Sequence, residues 1–171
     1  STIARMILEA DDGIGLSVSA TTRPMRPGET DGVDYHFVSD QDFDTLVASG
    51  AFLEWAHVFG RRYRTLISDV TQSIQDGCDV LLDNDWQGTQ QLKQVDPDIV
   101  RVFVLPPSMQ ELERRLRSRG TDSDEVIAHR MNRAHIEISH WAEYDYVFIN
   151  DDADKCRKLV HTVLKAGRLK A

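Results

Sequence analysis

The sequence predicts an α/β fold with a parallel-sheet core, and three observations carry that expectation. DVLLDND (79–85) and IVRVFVLPP (99–107) are near-continuous apolar runs of strand length, the pattern of strands covered on both faces. Helical patterns alternate with such runs through the second half of the chain, as they do around a parallel sheet. Shorter strand candidates between about 20 and 75 predict a more antiparallel segment inserted into that core.

The elements follow in order. In STIARMILEA, Ile3, Met6, Ile7 and Ala10 recur at helical spacing, so a helix runs from residue 1 or just before it. LSVSAT (16–21) and YHFVS (35–39) read as short strands, and DQDFDTLVASG as a helix with an acidic start that stops at Gly50. FLEWAHVF is a further strand ending at Gly60, and ISDVTQSIQDG a helix closed by Gly77. QGTQQLKQV is a crossover helix between the two apolar strands. SMQELERRLRSRG is a helix stopped by Gly120, and TDSDEVIAHRMNRAHIEISHWAEY a long one with Ser123 or Thr121 near its cap. YDYVFIND is the last buried strand, and DADKCRKLVHTVLKAGRL the terminal helix.

The bulk composition narrows the function. At 171 residues, 41% hydrophobic and 28% charged, the chain suits one folded domain, or one core carrying an inserted subdomain. No apolar run is long enough to span a membrane, and the charged N-terminal stretch is unlike a secretory signal, so a cytoplasmic protein with no membrane partner is expected. Cys78 and Cys156, far apart, suit free thiols in a reducing compartment. A net charge of −8 argues against broad nucleic-acid binding, which needs a basic surface. Yet fifteen of the twenty basic residues are arginine, whose planar fork binds phosphate or carboxylate through two parallel hydrogen bonds.

Position gives that bias meaning. In SVSATTRPMRPGE (17–29), Arg23 and Arg26 stand in a turn stiffened by Pro24 and Pro27, where they could clamp one phosphate, with Tyr35 and Tyr63 adding hydroxyl donors. Salt-bridged arginines in a surface turn fit the same residues. Glu54 is an acid inside an apolar strand, so it either turns to water or pairs with a donor-rich group. Guanine offers such donors in its N1–H and exocyclic amino group, and adenine does not offer them on that edge, so a site of this kind would reject adenine. Asp83 and Asp85, at the C-terminal end of a buried strand, stand where ligands gather in open α/β sheets. His129, His135 and His140 are spaced by six and five, which does not bring two ligands to one helix face.

These residues, with SVSATTRPMRPGETDGVDYHFVS, FLEWAHVFG, DVLLDNDWQG, LPPSMQELERRLRSRGTDSDEVIAHRM and EYDYVFINDD, make a sequence that resembles the guanylate kinase family over essentially its whole length. The resemblance implies a P-loop NTPase-type parallel-sheet core (1–19, 78–114, 131–171), a GMP-binding insert (20–77) and a lid (115–130), acting on GMP and ATP with Mg2+ accompanying the ATP. By the same resemblance Ser19, Glu54 and Thr65 would contact guanine, and Arg23, Arg26, Tyr35 and Tyr63 would hold the GMP phosphate. Arg115 and Arg119 would approach the ATP phosphates, and Arg130 would reach between donor and acceptor, where phosphoryl transfer asks for charge stabilisation. Asp85 would hold magnesium-bound water or the acceptor, with Asp83 beside it on the substrate side, and Asn150 would lie against adenine. A related alternative is a non-catalytic guanylate-kinase-like module that uses the arginine clamp for phosphopeptides.

Three departures stand out. Ser1 resembles the last position of the motif G-x-x-x-x-G-K-[ST], the hydroxyl that binds magnesium, while the motif's glycines and lysine are not among these residues. The expectation is that they lie upstream, and an intact mass above 19.4 kDa would show it. Arg64, in GRRYRT, replaces a glycine beside the substrate site, which implies either an altered backbone or extra charge for phosphate. Asn84 replaces an isoleucine and puts an amide in a buried run, where it needs a hydrogen-bond partner.

Overall fold

The structure, a computed structural model, describes residues 2–58, 60–120 and 122–169. The chain opens with α1 (Thr2–Leu8), whose Ile3, Ala4 and Ile7 are buried at helical spacing. It then forms two compact units, one of residues 7–99 and the other of the chain up to Met6 and from Val100 on.

The unit of residues 7–99 holds β1 (Ile14–Leu16), β2 (Ala20–Thr21), β3 (His36–Phe37), α2 (Asp40–Ala48), β4 (Phe52–Val58), β5 (Arg61–Leu66), α3 (Ile67–Gln75), β6 (Asp79–Leu81) and α4 (Trp86–Val95). β1 pairs in parallel with β6, Ile14 opposite Asp79. The other strands form a four-stranded sheet in the order β3-β2-β5-β4, antiparallel except for the β2–β3 pair. Its core includes Ala20, Phe43 and Leu92.

In the second unit β7 (Val102–Leu105) pairs in parallel with β8 (Tyr146–Ile149), Val102 opposite Tyr146. Between them run α5 (Met109–Ser118), α6 (Asp124–Ser139) and a turn of 3-10 helix (Trp141–Glu143), and α7 (Ala153–Arg168) follows. Leu116, Ile127, Cys156 and Val160 are buried there. Ser39, Asp85, Ser108, Ser123 and Asp152 cap α2, α4, α5, α6 and α7 in one manner, each side-chain oxygen accepting a backbone N–H three residues on. Gly77 (φ 78°) and Gly120 (φ 64°) end α3 and α5 in the left-handed region that favours glycine. Among the described residues no helix is long and apolar enough to cross a membrane.

Several sequence expectations are corrected. LSVSAT is not one strand: after β1 the Ser17 N–H still donates to Leu81 O, and the chain then crosses to the other sheet to become β2. The apolar runs are longer than the strands, which stop at Leu81 and Leu105 where cross-strand pairing ends. Nor are these strands covered on both faces. Val104, Tyr146 and Ile149 are exposed, and among the described residues β7 and β8 pair only with each other. GRRYRT, which carries no apolar alternation, is nonetheless the regular strand β5. The long helix ends at Ser139, with Ser123 as its cap.

Candidate active site

β5 sorts its side chains by the two-residue period of a strand. Arg62 and Arg64 lie over the Phe43 ring, at 4.4 and 5.3 Å from its centroid, and Arg64 also covers Phe52 at 4.9 Å. Arg62 is tied to Asp40 and Asp44 of α2 at 2.6 and 2.5 Å. Tyr63 and Thr65 therefore face the other way. Arg64, the glycine replacement, is thus a strand residue packed on two aromatic rings on the α2 side, and the extended ladder accommodates it.

On the opposite face Thr65 is fully buried and Glu54 is 5% exposed. Directly across the ladder from each other, they share a hydrogen bond of 2.6 Å in which Thr65 Oγ1 donates to Glu54 Oε1. Glu54 Oε2 turns toward the first turn of α4. A Cβ placed on Gly88 would stand 2.7 Å from that oxygen, so only glycine lets the helix come this close. Burial pushes the Glu54 carboxyl above its ordinary value; the Thr65 hydrogen bonds oppose this, the negative charge of Asp85 adds to it, and Arg64 opposes it. Asp85 itself caps α4, its Oδ1 accepting from the Gly88 N–H at 3.0 Å.

Tyr63, on the same face as Thr65, meets Tyr35 edge-on at 5.8 Å. Arg23 lies over the Tyr35 and Phe37 rings at 5.2 and 5.5 Å. Its guanidinium makes two parallel bonds to Glu29, 2.9 and 2.8 Å long, and a third to the Pro24 carbonyl at 2.7 Å. The Arg26 N–H donates to the same Glu29 at 2.7 Å. Glu29 is held below the usual carboxylate range, first by the Arg23 hydrogen bonds. Burial raises the Tyr35 hydroxyl, and Tyr63 and Asp83 add to that rise. Ser19 sits at the crossing between the two sheets, its carbonyl accepting from His36 at 3.0 Å.

The structure thus brings Arg23, Tyr35, Tyr63, Thr65 and Glu54 to one face of one sheet, with Asp83 and Asp85 on the turn leading into α4. It joins Arg26 to them through its backbone. Glu29 was missed in the sequence reading although it closes the RPMRPGE turn, because a chelating carboxylate six residues from its arginine has no periodic signature. Gly88 was missed too, since a glycine inside a helical pattern gives no hint of what it makes room for.

In the second unit Arg115 links two elements. Its Nε donates to Glu111 at 2.7 Å and its terminal nitrogen to the Asn150 carbonyl at 3.0 Å, which fixes α5 to the end of β8. Glu111 is drawn down to about 2 by Arg114 and then Arg115. Arg119 is the C-cap of α5, and Arg130 pairs with Asp122 at 3.5 Å. Ser1 lies outside the described residues. Among those residues no cluster of three or more His, Cys, Asp or Glu stands ready for a metal.

A family model described as guanylate kinase matches residues 1–167. The guanylate kinase of Sphingopyxis alaskensis is 64% identical over 171 residues, covering 99% of this chain and 78% of that protein. That of Zymomonas mobilis subsp. mobilis is 60% identical, covering 99% and 79%. Among solved structures, the crystal structure of guanylate kinase from Anaplasma phagocytophilum superposes with a TM-score of 0.86 at 35% identity, over 99% of this chain and 82% of that one.

Proposed function

This chain belongs to the guanylate kinase family, and we propose that it transfers the γ-phosphoryl group of ATP to GMP, giving ADP and GDP. One observation carries the reading: a carboxylate, Glu54, is buried on the same sheet face that presents Tyr63, Tyr35 and Arg23. The buried acid accepts the N1–H and amino group of guanine, with Thr65 fixing its orientation and Ser19 alongside. Arg23, Arg26, Tyr35 and Tyr63 hold the GMP phosphate. Adenine would leave the acid unpaired, and that loss is what rejects it.

The chemistry then needs a phosphate oxygen of GMP to attack the γ-phosphorus in line while ADP departs. Little covalent help is required, and most of the acceleration comes from neutralising the charge that spreads over the moving group. Arg115, Arg119 and Arg130, in the lid proposed at 115–130, serve that end, and Asp85, in the core segment proposed at 78–114, orients the acceptor held by the GMP-binding insert proposed at 20–77. Asn150, whose carbonyl already fixes Arg115, lies on the adenine side. Mg2+ accompanying the nucleotide would be held by its phosphates with one or two protein oxygens, the roles proposed for Ser1 and, through bound water, Asp85, and would supply positive charge there. Two free thiols, Cys78 and Cys156, support a cytoplasmic setting.

A coupled assay of ADP release by the full chain tests the reading. Release that requires GMP, with little from AMP or UMP, is expected; release with AMP equal to that with GMP would overturn it.

A further inference from the structure

Arg115 is held at two points, and the acid that holds it has no part in the chemistry above. Glu111 is the third residue of α5, a position from which a glutamate commonly reaches back to the N-cap backbone. Here its carboxylate runs the other way. Oε1 accepts from Arg115 Nε and from a terminal nitrogen of Arg114, each at 2.7 Å, and Oε2 accepts from Arg114 Nε at 2.7 Å. Spacings of three and four put the three residues on one face of the helix. Helical side chains lean toward the N-terminus of their helix, which brings Arg115 back over Glu111. The Asn150 carbonyl, just past β8, takes one terminal N–H of Arg115 at 3.0 Å. A guanidinium carries five N–H donors, so these two bonds fix its plane and leave three. Arg114 closes its fork on both oxygens of Glu111, so the trio keeps one net positive charge despite the acid. Glu111 is drawn down to about 2, first by Arg114 and then by Arg115, and stays ionised.

We propose that Glu111 is a positioning residue for phosphoryl transfer: it aims the Arg115 guanidinium, while Arg114 cancels the charge of the acid so that Arg115 keeps its pull on phosphate. This rests on Arg115 acting on the transferred group, as proposed above. An arginine left unheld samples many rotamers and loses its alignment on the moving phosphoryl group, and misplacement by about 1 Å can cost a factor on the order of 100. The Glu111 bond sets that alignment before the nucleotide arrives, so no reorganisation is left for the reaction itself. An ion pair that served the helix alone would have no use for the bond to Asn150, which lies outside α5.

A double-mutant cycle read by steady-state ADP release from the full chain tests the assignment. Glu111→Gln keeps the length of the side chain and should cut kcat about tenfold, with KM for GMP and Tm nearly unchanged. In an Arg115→Ala background the same substitution should change kcat by less than about twofold, because nothing remains to be aimed. A role in helix support alone would lower kcat by equal factors in both backgrounds or not at all, and either result overturns the proposal. Arginine side-chain NMR reads the geometry without turnover. The Arg115 Nε–H should exchange slowly with solvent in the wild type and rapidly in Glu111→Gln; rapid exchange in both overturns the bond on which the proposal stands. Arg114→Ala, which leaves Glu111 and Arg115 in place, should raise KM for ATP about threefold at low salt and less at high salt. An unchanged KM overturns the charge-balancing part. Wild-type protein whose ADP release does not respond to GMP overturns the function itself, and this inference with it.

Discussion

Glu54 sets two demands against each other. Burial holds its carboxyl above the ordinary value of 4.5, so its proton is bound more tightly in the folded state than in the unfolded chain. Its contribution to stability is therefore full at low pH and is lost as pH rises through the shifted value. Glu54→Gln, which keeps an acceptor for Thr65, is expected to melt above the wild type at neutral pH, with the difference closing in acid; scanning calorimetry across pH checks this. Function runs the other way. Only the ionised acid accepts two purine donors, so GMP affinity should fall as pH drops through a midpoint above 4.5, in a surrounding of Thr65 and Arg64 on β5 and Asp85 before α4. The Gln variant should lose affinity roughly 10- to 100-fold, as expected for hydrogen bonds to a charged group, and should lose the pH dependence as well. At this scale the sequence was informative. An acid within FLEWAHV and paired arginines among prolines are anomalies of composition, legible without coordinates. Glu29, Gly88 and the direction of Arg64 were not, because each depends on a partner brought near by the fold.

At the scale of the elements, α2 is fastened to β5 through Arg62, which reaches Asp40 and Asp44 while its guanidinium covers Phe43. Both acids are well exposed, so these ion pairs are worth little individually, and the stacking adds a similar amount. Arg62→Ala is expected to cost about 1 kcal/mol, seen as a lower urea midpoint with an unchanged slope. Phe43→Ala, emptying a fully buried site beneath two arginines, should cost about 3–5 kcal/mol. On α5 the sign is that of a depressed acid: Glu111, drawn down to about 2, supports the helix above its ordinary value of 4.5 and loses that support as pH falls toward 2. Because the pair with Arg114 and Arg115 lies partly in solvent, the effect on Tm should be small and should shrink in salt. β5 shows where sequence pattern stops informing. Both of its faces are covered, one by aromatic rings and one by the Glu54 side, and from Arg61 to Thr65 every side chain carries a polar group, so no hydrophobic alternation survives to be read.

Across the whole molecule the proposed roles divide between the two units. The residues assigned to GMP lie within residues 7–99, and the arginines assigned to the transferred phosphoryl group lie beyond Val100. Substitutions should divide in the same way. Arg115→Ala should cut kcat by about 10²- to 10³-fold while leaving GMP affinity nearly unchanged, and Arg23→Lys should chiefly raise KM for GMP, because lysine cannot form the parallel bonds of a guanidinium. Steady-state kinetics beside GMP titration separates the two. The α/β class was visible at this scale in alternating runs. The division into units was not, since it follows from which strands pair rather than from any change in composition along the chain.

The bidentate grip of Glu29 on Arg23 has a consequence for selectivity against inorganic anions. A free phosphate or sulfate ion reaching this turn only exchanges with a carboxylate already seated there, so the swap returns almost nothing. In the proposed site a nucleotide would succeed where the ion does not, because its base would add contacts along the same sheet face. In the role proposed for Arg23, the protein's own acid is what simple salts would have to displace.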